Sequence, residues 1–176
     1  MNTHITSELR IERLPIRQLR LDPRNPRRHD KQQIKQIARS IKTFGFIVPV
    51  LVDKNDNVVA GHGRVLAGQP LGLEDVPAIR LEHLSEAKVR AFRIADNRLT
   101  EISTWDDRLL AEILGQLAAL ELDFSIEVTG FSMGEIDLRI ESLSDKPEEE
   151  ADLADELPEP VNGVIKVFLI RFPFEP

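Results

Sequence analysis

The run Val58-Val59-Ala60-Gly61-His62-Gly63-Arg64 restricts this chain more than any other stretch. Its β-branched start favours an extended strand, and Gly61 and Gly63 then supply positions without a Cβ. The residues that follow suit a helix. Gly68 and Pro70 weaken that helix by about 1 and about 3 kcal/mol at interior positions, so it should end near Gln69. A strand is therefore handed directly to a short helix. Such a turn leaves amide N–H groups without intrahelical partners, and together with the helix dipole they can hold an anion. Arg64 adds a forked cation suited to phosphate oxygens. His62 can donate a hydrogen bond or move a proton near neutral pH. The same residues also suit a plain tight bend with an exposed arginine, and the run alone leaves both readings open.

The flanking sequence supplies the rest of a small mixed sheet. Leu9 to Leu14 alternates apolar and charged residues like a half-buried strand, and Val48 to Val52 reads as a buried one. Lys54 to Asn57 has turn composition, and Val76 to Leu81 is a further strand. Between the first two strands, Asp22-Pro23-Arg24-Asn25-Pro26-Arg27-Arg28 forms a loop, because its prolines forbid regular structure. Asp30 then caps a helix from Lys31 to Phe44, stopped by Gly45. From Ser85 onward the pattern is helical. Ser85 caps a helix to about Leu99, Thr104 and Asp107 precede one to about Leu120, and Ser132 and Glu135 precede one to about Leu143. The fold class is α+β with a helical extension. The expected divisions are a core at 9–84, the extension at 85–144, an acidic disordered linker at 145–160 and a short apolar, strand-like tail at 161–176.

Charge divides the chain as well. Residues 1–100 carry 18 Lys and Arg against 11 Asp and Glu, whereas residues 101–176 carry 5 against 19. A basic front half suits a polyanion such as DNA. Lys31, Lys35, Arg39 and Lys42 share one helix face next to Arg27 and Arg28, and this surface could neutralise several phosphates without reading bases. It equally suits the solvated face of an amphipathic helix. Phe44, Phe46, Phe92, Trp105 and Phe131 stand among apolar neighbours and read as core, while His29 and His83 read as surface residues. The chain has no cysteine, which excludes disulfides, thiolate metal sites and cysteine nucleophiles. No apolar run approaches the roughly 18 residues of a membrane span, and the N-terminus lacks a signal core, so a cytoplasmic location is expected.

Several of these segments together resemble the ParB/sulfiredoxin-like superfamily. They are the Arg24-Asn25-Pro26 loop, Ser40 to Phe46, Pro49-Val50, Val59 to Arg64, Leu71-Gly72-Leu73 with Val76-Pro77, Ile94 to Leu99, Trp105-Asp106 and Thr129 to Phe131. The pattern covers roughly residues 10–143. It is similar to the ParB-like N-terminal domain found in front of phage and prophage DNA-modification methyltransferases. In partition proteins of this family the turn reads Gly-Glu-Arg-Arg and cradles the triphosphate of CTP. Gly61 and Arg64 match it, whereas His62 and Gly63 replace the middle pair. Sulfiredoxin carries a cysteine in the comparable turn, so its chemistry is excluded here. A third family motif, Glu-Asn, helps hold a metal ion, and Asp96-Asn97 is its nearest match.

The resemblance implies a module that binds a nucleoside triphosphate (CTP or ATP) with Mg²⁺. Gly61, His62, Gly63, Arg64, Arg24 and Asn25 would bind the phosphates, with Asp96 and Asn97 at the metal. DNA contact would fall to Arg27, Arg28 and the helix cations, in support of DNA modification or of plasmid or phage maintenance. A nuclease or small-molecule phosphotransferase, with His62 and Asp96 as acid–base groups, is the enzymatic alternative. An adaptor is the other, with the face Leu109, Leu110, Ile113, Leu114 and Leu117 docking a methyltransferase; those leucines also read as core. No helix-turn-helix domain is expected after the core. A methyltransferase partner would act either in trans or in cis, in the latter case lost from this chain.

Overall fold

The computed structural model describes residues 9–143. The linker and tail expected at 145–176 lie outside these residues. The elements run β1 (Ile11–Pro15), α1 (Lys31–Phe44), β2 (Val50–Val52), β3 (Val58–Ala60), α2 (His62–Gly68), β4 (Asp75–Arg80), α3 (Glu86–Ile102), α4 (Asp107–Ala118) and α5 (Met133–Ser142). Short 3₁₀ turns occupy Ile16–Gln18 and Ile126–Thr129. The sheet order is β1-β4-β2-β3. β4 pairs antiparallel with β1 and parallel with β2, and β2 pairs antiparallel with β3. The parallel pair needs a crossover, which β3 and α2 provide. Hence α2 starts where β3 leaves the sheet.

Two apolar clusters hold the described chain together. In the first, Val50, Val52, Val58, Val65, Val76 and Ala78 are fully buried, with Phe46 and Leu73 packed against them. Leu114, Ile126 and Ile136 centre the second, where α4 meets α5. Local chemistry sets the helix ends. Asp30 accepts a hydrogen bond from the Gln33 amide at 2.7 Å, and Gly45 closes α1 with φ +81°. Ser85 caps α3, and Ser132 and Glu135 form a reciprocal capping box on α5.

Three expectations need correction. Asp106, not Thr104, caps α4, because its carboxylate reaches the Leu109 amide at 2.9 Å. Phe44 and Trp105 are exposed rather than core: Phe44 ends α1 and meets Phe124 edge-on, and Trp105 lies between α3 and α4 edge-on to Phe131. The leucine-rich face of α4 is split. Leu110, Leu114 and Leu117 pack against α5, while Leu109 and Ile113 remain exposed. No helix among the described residues is long and apolar enough to cross a membrane.

Candidate functional site

A cavity of about 170 Å³ opens at the β3–α2 turn. Its wall is built from Val59 to Arg64, with Asn25, Arg27 and His29 from the loop before α1, Ile37 from α1, and Asp96 and Asn97 from α3. The turn explains the arrangement. Gly61 adopts φ +94°, a left-handed conformation that redirects the chain from strand to helix. A Cβ there would lie 2.9 Å from Arg64 Nη2 and 3.0 Å from Val50 Cγ1. The first α2 amide bonded back into the turn is that of Val65, to the Gly61 carbonyl at 3.1 Å. The amides of His62, Gly63 and Arg64 precede it, and helix geometry gives them no intrahelical acceptor.

Arg64 folds back over the turn, and its Nη2 donates to the Pro49 carbonyl at 3.2 Å. Its Nε is buried without a partner. Burial lowers the guanidinium pKa, opposed by the nearby Asp96 carboxylate, and an arginine remains charged regardless. A half-buried cation with an unanswered donor, beside free amides, is a site for negative charge.

His62 behaves differently from expectation. It is only 6% exposed, and its Nε2 has no partner. Burial, then the neighbouring charge of Arg93, push its pKa down to about 4. The ring is therefore neutral at pH 7 and does not exchange protons near neutrality, because ionising it would place a second cation beside Arg93.

The loop residues exchange roles. Arg24 does not line this cavity. Its amide is held by Asp22 Oδ1 at 2.8 Å, and its exposed side chain borders a separate groove of about 800 Å³ with Asp22, Leu81 and Leu84. Arg27, expected at DNA, lines the cavity instead and pairs with Glu101 of α3 at 3.2 Å. Asn25 shapes the loop, bonding the Arg27 carbonyl and amide with its side chain. Asp96 is exposed at the cavity rim. Asn97 donates its amide to the Arg93 carbonyl at 2.8 Å, and its Oδ1 has no partner among the described residues.

Sequence reasoning missed two residues here. His29, read as surface, is half-buried and bonded through Nδ1 to Gln33 Oε1 at 2.8 Å. Arg93 pairs with Asp22 at 2.6 Å and reaches the Val58 carbonyl at 3.4 Å, fastening α3 and the loop to β3. Its spacing from Asp96 and Asn97, three and four residues, was the available signal. Of the expected DNA-contacting residues, Arg28, Lys31, Lys35, Arg39 and Lys42 are exposed. None of the five has an ion-pair partner among the described residues.

Comparison with known proteins identifies the family and the fold. The model of the ParB N-terminal domain matches residues 2–98. The chain is 38% identical to the ParB-like nuclease domain-containing protein YnaK of Escherichia coli, over 47% of this chain and 94% of that protein. It is 35% identical to the stage 0 sporulation protein J of Bacillus subtilis, over 52% of this chain but 33% of that one. It thus spans about a third of that relative's length. The chromosome-partitioning protein ParB of Caulobacter crescentus, solved with CTP-γ-S, shares the fold with a TM-score of 0.63 at 24% identity, covering 76% and 78% of the two chains.

One expectation is overturned by these matches. A ParB-methyltransferase helix-turn-helix domain model matches residues 108–166, where no such domain was expected. The motif is usually recognised by a 3–4-residue turn, whereas a longer segment with its own 3₁₀ turn separates α4 from α5. The rest of the match lies outside the described residues. With more than half its length matched by the family model, the chain belongs to the ParB N-terminal domain family.

Proposed function

We propose that this chain is a DNA-associated module that binds a nucleoside triphosphate, CTP or ATP, by its phosphates. The observation that carries this reading is the single cavity that gathers the free amides of α2, Arg64 with its unanswered Nε, Arg27 and the Asp96-Asn97 pair. At about 170 Å³ the cavity is below the roughly 300 Å³ typical of sites that enclose a whole ligand. It accommodates phosphate groups, and the nucleoside would extend over the rim. The carboxylate of Asp96 and the Oδ1 of Asn97 are hard oxygen donors that fit Mg²⁺ shared with phosphates. When bound, that ion would neutralise phosphate charge, with Asp96 and Asn97 as its protein ligands.

The exposed cations of α1 and Arg28 would contact DNA phosphates. The structure of the Caulobacter chromosome-partitioning protein with CTP-γ-S, and that protein's name, support the nucleotide and DNA parts of this reading. Isothermal titration with CTP, ATP and GTP in magnesium tests it. Micromolar to millimolar binding that Arg64→Ala abolishes is expected, and no binding of any of the three at millimolar concentration would end the proposal.

Two observations favour a second role, docking a DNA methyltransferase in cis or in trans. The helix-turn-helix model that matches here is of the methyltransferase-associated kind. Leu109, Ile113 and Leu120 leave an apolar surface on and just after α4. Co-purification with a methyltransferase, lost in Leu109→Asp/Ile113→Asp, is the check. Nuclease activity of the kind YnaK's name suggests would have to rely on Asp96 rather than His62, because a buried ring with a pKa of about 4 is a poor general base at neutral pH.

A further inference from the structure

Gly63 has a steric reason to lack a side chain. A Cβ on it would lie 2.9 Å from Ile37 Cδ1 and 3.2 Å from both Cε1 and Nδ1 of His29. The Ile37 atom is the far end of a flexible chain and can yield. The imidazole is held more firmly, because its Nδ1 is bonded to Gln33 Oε1 at 2.8 Å one turn into α1. The ring of His29 therefore occupies the volume that residue 63 would fill. It stands directly over the second residue of α2, beside the amides that have no acceptor.

His29 lines the same cavity as Arg64 and Arg27. Its Nε2 makes no hydrogen bond among the described residues and, unlike that of His62, is not among the buried atoms that lack a partner. With Gln33 Oε1 toward the ring, Nδ1–H is the donor; turning the Gln33 amide about places its NH₂ on Nδ1 and the ring hydrogen on Nε2, with the ring plane unchanged. Nε2 is thus able to carry a hydrogen toward an anion. From this placement, and resting on the reading of the cavity as a phosphate site, we propose that His29 is a phosphate-binding residue. It donates from Nε2 to a phosphate oxygen opposite Arg64, and Gly63 is its steric counterpart. The two positions act as a matched pair, and Gln33 is the positioning residue for the ring.

The test is titration of the full chain with tripolyphosphate, CTP and ATP, each with magnesium, for wild type, His29→Ala, His29→Gln, Gly63→Ala and Arg64→Ala. His29→Ala is expected to weaken binding about tenfold, the effect of one hydrogen bond to a charged acceptor. His29→Gln, which keeps an N–H donor, recovers most of it. Gly63→Ala weakens binding by displacing the ring, and adding it to His29→Ala costs little more, because both changes remove the same contact. In the unmutated protein, the ¹⁵N resonance of His29 Nε2 shifts on adding tripolyphosphate, a readout that does not depend on any variant folding. Wild-type affinity in His29→Ala, with Arg64→Ala inactive, would overturn the role of His29 while leaving the phosphate site intact. An Nε2 resonance unmoved at saturation would do the same. Failure of the wild type to bind any of the three probes would remove both the site and this residue's part in it.

Discussion

Acid should destabilise this fold through His62 among other groups, and the size of that residue's contribution follows from its burial. The ring's pKa is about 4 in the folded chain against 6.5 for an unperturbed histidine. Well above pH 6.5 the ring is neutral in both folded and unfolded chains and contributes little pH dependence. As pH falls below 6.5 the unfolded chain takes up a proton that the native chain refuses, so stability drops until the folded pKa is passed. By pH 4.5 the linkage amounts to about 2.5 kcal/mol, with a slope of about 1.0–1.2 kcal/mol per pH unit between pH 6 and 4.5. That is a large part of the 5–15 kcal/mol typical of a domain. The assay is urea unfolding at half-unit steps from pH 7.5 to 4.5, for wild type and His62→Gln. The variant has its own stability offset, but the offset cancels when slopes are compared. Asp22 is held below the usual carboxylate range by the Arg24 amide and the Arg93 guanidinium, so it also loses stabilisation as pH falls, in both proteins alike. Wild type should therefore lose about 2.5 kcal/mol more than the variant across this range. Parallel curves would refute the reasoning, because they would mean that water or a rearranged Arg93 solvates the imidazolium.

Three further outcomes are expected. Gly61→Ala should cost about 1–3 kcal/mol by chemical denaturation, since φ +94° is strained for any Cβ, and should also weaken phosphate binding by pushing Arg64 Nη2 aside. Ile136→Ala, at a fully buried position between α4 and α5, should cost about 2–5 kcal/mol and broaden the resonances of Leu114 and Phe131. Replacing Lys31, Lys35, Arg39 and Lys42 with glutamine should lower the slope of log affinity against log salt for random-sequence duplex DNA by about 3–4, read by fluorescence anisotropy. An unchanged slope would show that DNA meets another face.

The local sequence was sufficient for the elements and for their order. Asp30 with Gly45, Ser85, and Ser132 with Glu135 announce helix ends, because capping is settled within four residues of chain. Val58 to Arg64 announces the strand-to-helix turn for the same reason, since two glycines and a β-branched run act on their own backbone. Thr104 misled because Asp106, two residues further on, is an equally good cap for its own third amide, that of Leu109, and only the folded path shows which of the two starts the helix.

What the chain's own letters could not decide is which distant groups face one another. Arg24 and Arg27 are indistinguishable in a proline-rich loop, yet Asp22 turns one toward the outer groove and Glu101, 74 residues further on, holds the other at the cavity. The burial of His62 and its closeness to the charge of Arg93, and with them the loss of a proton-transfer role near neutrality, arise only in the folded chain. Its depressed pKa is a property of the low-dielectric surroundings and neighbouring charge, neither of which is written in the residue itself. His29 shows the same limit, because only the tertiary packing of α1 against α2 brings its ring over Gly63. Spacing along the chain determined which residues could bend, cap or carry charge; distance through space determined which of them share a cavity and in what protonation state.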